Sequence, residues 1–201
     1  MPTITATPAL HRRALGAVTD LLADLTPADL DRPTPCAGWD LRQLLAHMIG
    51  QNLGFAAAAE HDVGVEAFAD HPVDDGVREA WSESAERVAT ALGAASGDGR
   101  TVALPEFPQY GRLPGNFVLG MHQLDSVVHG WDVATALGRQ YRPDDELVAA
   151  TLEMARAVPA GPERERPGAS FAPAVTGGSD DPWAETLRLL GRDPAQSGGR
   201  S

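Results

Sequence analysis

Lysine is absent from this sequence. All sixteen basic residues are arginine, set against twenty-eight acidic ones, and the 201 residues carry a formal net charge of −12. A polyanion would be repelled from such a surface, which excludes nucleic acid as an expected partner. The missing lysine reads as the codon bias of a GC-rich host, since no structural demand removes it. Cysteine is nearly absent as well. With Cys36 alone, no intramolecular disulfide can form and sulfur chemistry leaves the compartment open. Aromatic residues are only 5%, and alanine and leucine fill most apolar positions, which favours helices over strands. No apolar run approaches the ~18 to 20 residues that span a bilayer. The first residues, MPTITATPALHRR, lack the basic and apolar regions of a signal peptide. These absences predict a cytoplasmic protein with no membrane partner, a monomer or homodimer with one substantial core.

What is present is a helical pattern. Thr7 and Pro8 start a helix in which Leu10, Ala14, Leu15, Val18, Leu21, Leu22 and Leu25 recur at helical spacing. Pro27, Pro33 and Pro35 then forbid a continuous helix. Asp40 caps a second helix, with Gln43 completing a capping box and Leu41, Leu44, Leu45 and Met48 forming its buried stripe. Residues 60 to 75 break the pattern and read as a solvated loop, with or without a short helical turn, so His61 and His71 are given no role. A third helix to about Ala95 buries Val77, Trp81, Ala85, Val88 and Leu92. The connection from Ser96 to Pro114 contains a brief β-like run, Thr101 to Leu104, and delivers the chain directly to the fourth helix. It is placed to line or cover a site there, or is simply a proline-stiffened crossover.

Beyond Gly138, a natural helix stop, a helix follows from Asp144 or Asp145 to about Val158. The segment AGPERERPGAS reads as an exposed linker, a short helix runs from Asp181 or Pro182 to Gly191, and the tail QSGGRS is expected to be disordered. The expected architecture is all-α, a four-helix bundle with helices near residues 8–25, 40–58, 75–95 and 115–137. The bundle would occupy residues 1–140, with a short C-terminal helical extension packed on it over 141–195 and the tail at 196–201.

The fourth helix, Gly115 to Leu137, carries the chemistry. Leu124, Val127, Val128 and Trp131 make its apolar face, and His122, Asp125, His129 and Asp132 fall on an adjacent arc. Asp125 and His129 are four residues apart and can converge on one ion, and a carboxylate with an imidazole suits Zn²⁺ and its divalent neighbours. A third ligand must come from elsewhere, and His47, at the edge of the second helix's buried stripe, is the candidate. A solvated polar stripe and a histidine that caps a neighbouring carbonyl account for the same residues equally simply. Asp132 is set to orient His129 or accept a proton, or to cap the surface, and Cys36 to pack as a small buried residue beside Trp39.

TPCAGWDLRQLLAHM, DSVVHGWDVATALGR and the closing FAPAV and LRLLGRDP, in this order, resemble a known family. It comprises short actinobacterial-type metal-binding proteins related to the N-terminal domain of mycothiol-dependent maleylpyruvate isomerase, within the DinB-like superfamily of four-helix bundles. The resemblance implies a divalent metal, zinc or alternatively nickel, held by His47, Asp125 and His129. The acidic ligand of the family is usually Glu, and Asp125 is one methylene shorter, which makes His122 the reserve ligand. Three protein ligands leave an open position, the arrangement of a catalytic site. The function implied is a metal-dependent thiol transferase that activates a low-molecular-weight thiol, with mycothiol as cosubstrate, for attack on an electrophilic small molecule. A hydrolase using a metal-bound water, and a non-catalytic bundle that binds a small molecule or protein, are the alternatives.

Overall fold

A computed structural model describes residues 5–166 and 169–197. Four long helices form the body: α1 (Pro8–Leu22), α2 (Leu41–Glu60), α3 (Val77–Gly97) and α4 (Gly115–Ala136). Two shorter helices follow, α5 (Asp145–Ala157) and α6 (Pro182–Leu189). The all-α bundle read from the sequence is the observed class. Among the described residues, no helix is long and apolar enough to cross a membrane.

The helix starts follow from local chemistry. Thr7 caps α1 by accepting a bond from the Leu10 amide at 3.2 Å, and Pro8 fills the first position, where a missing amide hydrogen is harmless. At α2, Asp40 accepts from the Gln43 amide at 2.8 Å while Gln43 reaches back to the Asp40 amide at 3.0 Å, the capping box expected from the sequence. The helix α1 stops at Leu22, three residues short of expectation.

Three helices stop with one device. After α3, α4 and α6 a glycine with positive φ, Gly99, Gly138 or Gly191, is followed by an arginine whose amide bonds back to Ala95, Ala134 or Leu187. The turn throws each arginine side chain onto another element. Arg100 bonds the Ala59 carbonyl near the end of α2, and Arg139 the Leu21 carbonyl near the end of α1.

In the packing, α1 lies against α4 and α2 against α3, with α3 also touching α1 and α4. Trp81, Leu41, Leu44, Leu45, Ile49, Leu92 and Leu119 are fully buried between them. A second apolar cluster joins Leu10 and Ala14 of α1, Val127 and Trp131 of α4, Leu147 and Val148 of α5, and Trp183 and Leu187 of α6. The C-terminal helices therefore share core with α1 and α4.

Three connections are more structured than their composition suggested. The β-like run is a real strand, β1 (Thr101–Ala103), which pairs antiparallel with β2 (Arg112–Pro114) immediately before α4. The segment 61–76 is seated on α2. Its 3-10 turn, Val65–Phe68, buries Phe68 over Gly54, and the backbone at Ala69 lies where a Cβ on Gly50 would be, 2.4 Å from the Ala69 oxygen. The supposed exposed linker contains a 3-10 turn, Pro162–Glu165, whose Arg164 is buried and donates to the carbonyls of Val158, Pro159 and Leu189. Of the tail expected at 196–201, residues 198–201 lie outside the described residues, while the backbone of Gln196 and Ser197 belongs to a 3-10 turn, Pro194–Ser197.

Candidate metal centre

The i,i+4 spacing on α4 places His129 Nε2 3.4 Å from Asp125 Oδ1. From α2, the ring of His47 stands edge-on to that of His129, with centroids 5.7 Å apart, and tilts against Trp39 at 5.0 Å. His47 thus neighbours the Asp125–His129 pair between α2 and α4, while of the three only Asp125 and His129 have ligand atoms at the spacing of a shared ion. His129 is buried, and His47 and Asp125 are each about a quarter exposed, so the place opens to solvent on the side of those two.

Each ring is oriented by its other nitrogen. His47 Nδ1 lies 3.5 Å from Asp70 Oδ1, on the segment seated over Gly50 and Gly54. His129 Nδ1 is 2.9 Å from Asp132 Oδ2, one turn along α4. Asp132 is completely buried. Its oxygens also accept from Arg192, whose Nη2 is 2.8 Å from Oδ2 and whose Nε is 3.3 Å from Oδ1, and from the Cys36 thiol at 3.2 Å. Burial works against the Asp132 charge, but the Arg192 guanidinium and the His129 bond outweigh it and hold the carboxyl at about 2. An ionised Asp132 makes His129 Nδ1 the donor and leaves Nε2 to face Asp125. Burial likewise opposes charge on His129, yet Asp125, Asp132 and Cys36 together push its pKa up to about 10.

The connection before α4 supplies one more group. Glu106 Oε1 is 3.5 Å from Nε2 of Gln51, which stands one turn beyond His47 on α2. Burial raises the pKa of Glu106, the Gln51 bond works against that rise, and the neighbouring Asp125 charge adds to it.

His122 is not brought to this place. Seven residues before His129 it lies on the same side of α4 but about 10 Å down the axis. There its Nδ1 is 2.8 Å from His11 Nε2 and its ring packs on Phe55 at 4.9 Å. His71 bonds its neighbouring Pro72 carbonyl and His61 ends α2; neither is among the site's neighbours. Cys36 is half-buried and packs against the main core, as does Trp39, and its thiol in addition faces Asp132 and His129. Arg192, Asp70 and Glu106 were not legible as individual site residues. Glu106 lies in the connection expected to line or cover a site, and Arg192 is the residue delivered by a Gly helix stop.

The helical bundle is of the DinB-like class. The model of the mycothiol maleylpyruvate isomerase N-terminal domain matches residues 11–134, and the chain belongs to that family. Two uncharacterized proteins of Mycobacterium tuberculosis, from strains CDC 1551 / Oshkosh and H37Rv, are each 32% identical over 188 residues, 90% of this chain and 95% of theirs. Crystal structures of the mycothiol-dependent maleylpyruvate isomerase superpose with TM-scores of 0.53 for a histidine-to-alanine mutant and 0.52 for the unmutated protein, at 17% identity. The match covers 72% of this chain but 65% of the isomerase, so it speaks for the fold alone.

Proposed function

We propose that this protein is a metal-dependent thiol transferase that uses a low-molecular-weight thiol, mycothiol in the leading reading, against an electrophilic small molecule. The observation that carries the reading is the pair Asp125 and His129. Their donor atoms are 3.4 Å apart, close to the ~3.3 Å at which two ligands with bonds of about 2.0 to 2.1 Å share one tetrahedral ion. That spacing supports the reading in which the shorter carboxylate of Asp125 reaches the ion. Buried carboxylates that hold the second nitrogen of a ligating histidine are the usual support of such centres, and Asp132 takes that position at His129.

His47, Asp125 and His129 are the residues that would hold the ion; this donor set accepts several divalent metals, and the family resemblance puts zinc first and nickel second. When bound, such an ion holds an incoming thiol as its thiolate, the nucleophilic form. The chain's own residues do the rest. Asp132 keeps the proton on His129 Nδ1, Asp70 steadies His47, and Trp39 walls the His47 side. Glu106, bonded to Gln51 and near enough to feel the Asp125 charge, is the candidate to take the proton that the thiol would give up. Family membership supports the thiol as mycothiol.

Protein purified without chelator should carry a divalent ion by mass spectrometry and turn over a thiol with an electrophile only when it does. His129→Ala and His47→Ala should lose most of the metal, whereas His61→Ala and His71→Ala keep it. Asp125→Glu should not raise affinity, because the native carboxylate is already within reach. Equal metal content in all variants would place the site elsewhere. Full occupancy without reaction across a panel of thiols and electrophiles would favour the hydrolase, and no metal in any variant would favour a bundle that binds a ligand without catalysis.

A further inference from the structure

The tightest group of metal-competent atoms among the described residues is not the His47 face of His129 but the opposite one. Cys36 Sγ, His129 Nδ1 and Asp132 Oδ2 lie 2.9, 3.2 and 3.8 Å apart. A tetrahedral zinc with bonds of about 2.0 to 2.3 Å wants its ligand atoms roughly 3.3 to 3.6 Å apart, so these three nearly form a site. A cation already stands there. Arg192 Nη2 is 2.8 Å from Asp132 Oδ2 and 3.6 Å from Cys36 Sγ, and a guanidinium does not lose its charge in a protein.

The arginine is built into this place. Gly191, at φ +79°, ends α6 with its amide bonded to the Arg188 carbonyl, and the Arg192 amide bonds the Leu187 carbonyl at 2.9 Å. A Cβ on Gly191 would lie 2.7 Å from Ala172, so the turn admits no other residue without moving that segment. The guanidinium then donates to the Leu190 carbonyl at 2.8 Å, lies 5.7 Å from the Phe171 ring centroid, and is 7% exposed. Arg192 belongs to the C-terminal part of the chain, beyond residue 134 where the family model stops.

We propose that Arg192 is a positioning residue that acts as a fixed internal cation: it fills the Cys36 side of His129, keeps Cys36 from ligating, and through Asp132 leaves only Nε2 to receive a metal. The inference rests on the metal reading above but concerns the other nitrogen of the ring. Without Arg192, the buried Asp132 carboxylate loses its counter-charge, and a divalent ion ligated by Cys36, His129 and Asp132 is the replacement the geometry offers. The C-terminal segment thereby decides which of two faces of one histidine is the metal face.

Cobalt(II) titration distinguishes the two faces, because a thiolate ligand adds a sulfur-to-cobalt charge-transfer absorption that imidazole and carboxylate do not. The wild-type protein should bind cobalt without that absorption, and Cys36→Ser should leave spectrum and affinity unchanged. Arg192→Leu should gain the absorption. The double variant Cys36→Ser with Arg192→Leu should lose it again and bind roughly 10- to 100-fold more weakly than wild type, the usual effect of losing the support behind a ligand. Arg192→Lys, which keeps a charge, should stay without the absorption. A thiolate absorption in the wild type that Cys36→Ser removes would overturn the inference, and that comparison needs no variant of Arg192. Wild-type spectrum and affinity in a folded Arg192→Leu would overturn it equally. No cobalt bound by the wild type would instead overturn the metal reading, and this inference with it.

Discussion

The histidines of this chain are told apart by what stands at their second nitrogen. His129 has an ionised carboxylate there and His47 a partly exposed one, so each is left with a nitrogen for other use. His11 and His122 have each other, with Nε2 and Nδ1 2.8 Å apart in the core and Ser126 Oγ 3.3 Å from His122 Nδ1, while His11 Nδ1 and His122 Nε2 are unpartnered. Burial lowers the pKa of both; for His11 the neighbouring Arg12 charge adds, and the value falls to about 4 from 6.5. A lowered histidine stabilises the fold above its unfolded pKa, and that contribution is lost as pH falls through the folded value. For His11 alone the loss should reach about 3 kcal/mol by pH 4. Denaturation followed from pH 7 to pH 4 should therefore show a steeper fall for the wild type than for a His11→Gln, His122→Gln variant. Parallel falls would assign the acid sensitivity to carboxylates alone. Periodicity could see that His122 shares a stripe with His129. It could not see which group His122 meets instead, since the partner His11 is 111 residues distant in sequence.

Among the elements, the helices were legible and their seating was not. Caps and apolar spacing depend on neighbours three and four residues away, which is why the start of α2 at Leu41 agrees with the expected box at Asp40 and Gln43. The segment 61–76 depends instead on a gap in α2, where Gly50 and Gly54 have no side chain, and no property of the segment itself announces that gap. Its consequence reaches the site, because Asp70 follows the seated turn and meets His47. Gly50→Ala should force the backbone at Ala69 to lift, since the added Cβ would lie 2.4 Å from a carbonyl oxygen that cannot rotate away. The expected cost is about 2 kcal/mol, a fall of roughly 4 to 8 °C in Tm for a chain of this size. Gly93→Ala is the control. Its Cβ would meet only Pro8 at 3.8 Å, an ordinary contact, and the better helix former should raise Tm slightly. Changes of the same sign in both variants would show that the fit at Gly50 is looser than the structure has it.

At the scale of the molecule, charge decides what the site can admit. The net charge of −12 was legible at once, but the distribution that matters is local. Asp125 and Asp70 stand beside the two candidate histidines, and Glu106, bonded to Gln51, is near enough to feel the Asp125 charge. Arg192 bonds Asp132 instead, buried on the far side of His129, where the two charges neutralise each other. Even a divalent ion at His129 Nε2 would be offset by these three carboxylates. An anionic electrophile therefore approaches against both the local and the overall field, and a neutral one does not. Added salt screens such a field, since the Debye length falls from about 10 Å at 0.1 M to about 3 Å at 1 M. With the thiol held constant, kcat/KM for an anionic electrophile should rise between low and moderate salt, while that of a neutral analogue stays flat. Glu106→Gln should raise the low-salt value for the anion and shrink its salt dependence. A value that falls with salt for the anion would show the opposite, that the charge of the bound metal dominates the entrance and the surrounding carboxylates do not set its selectivity.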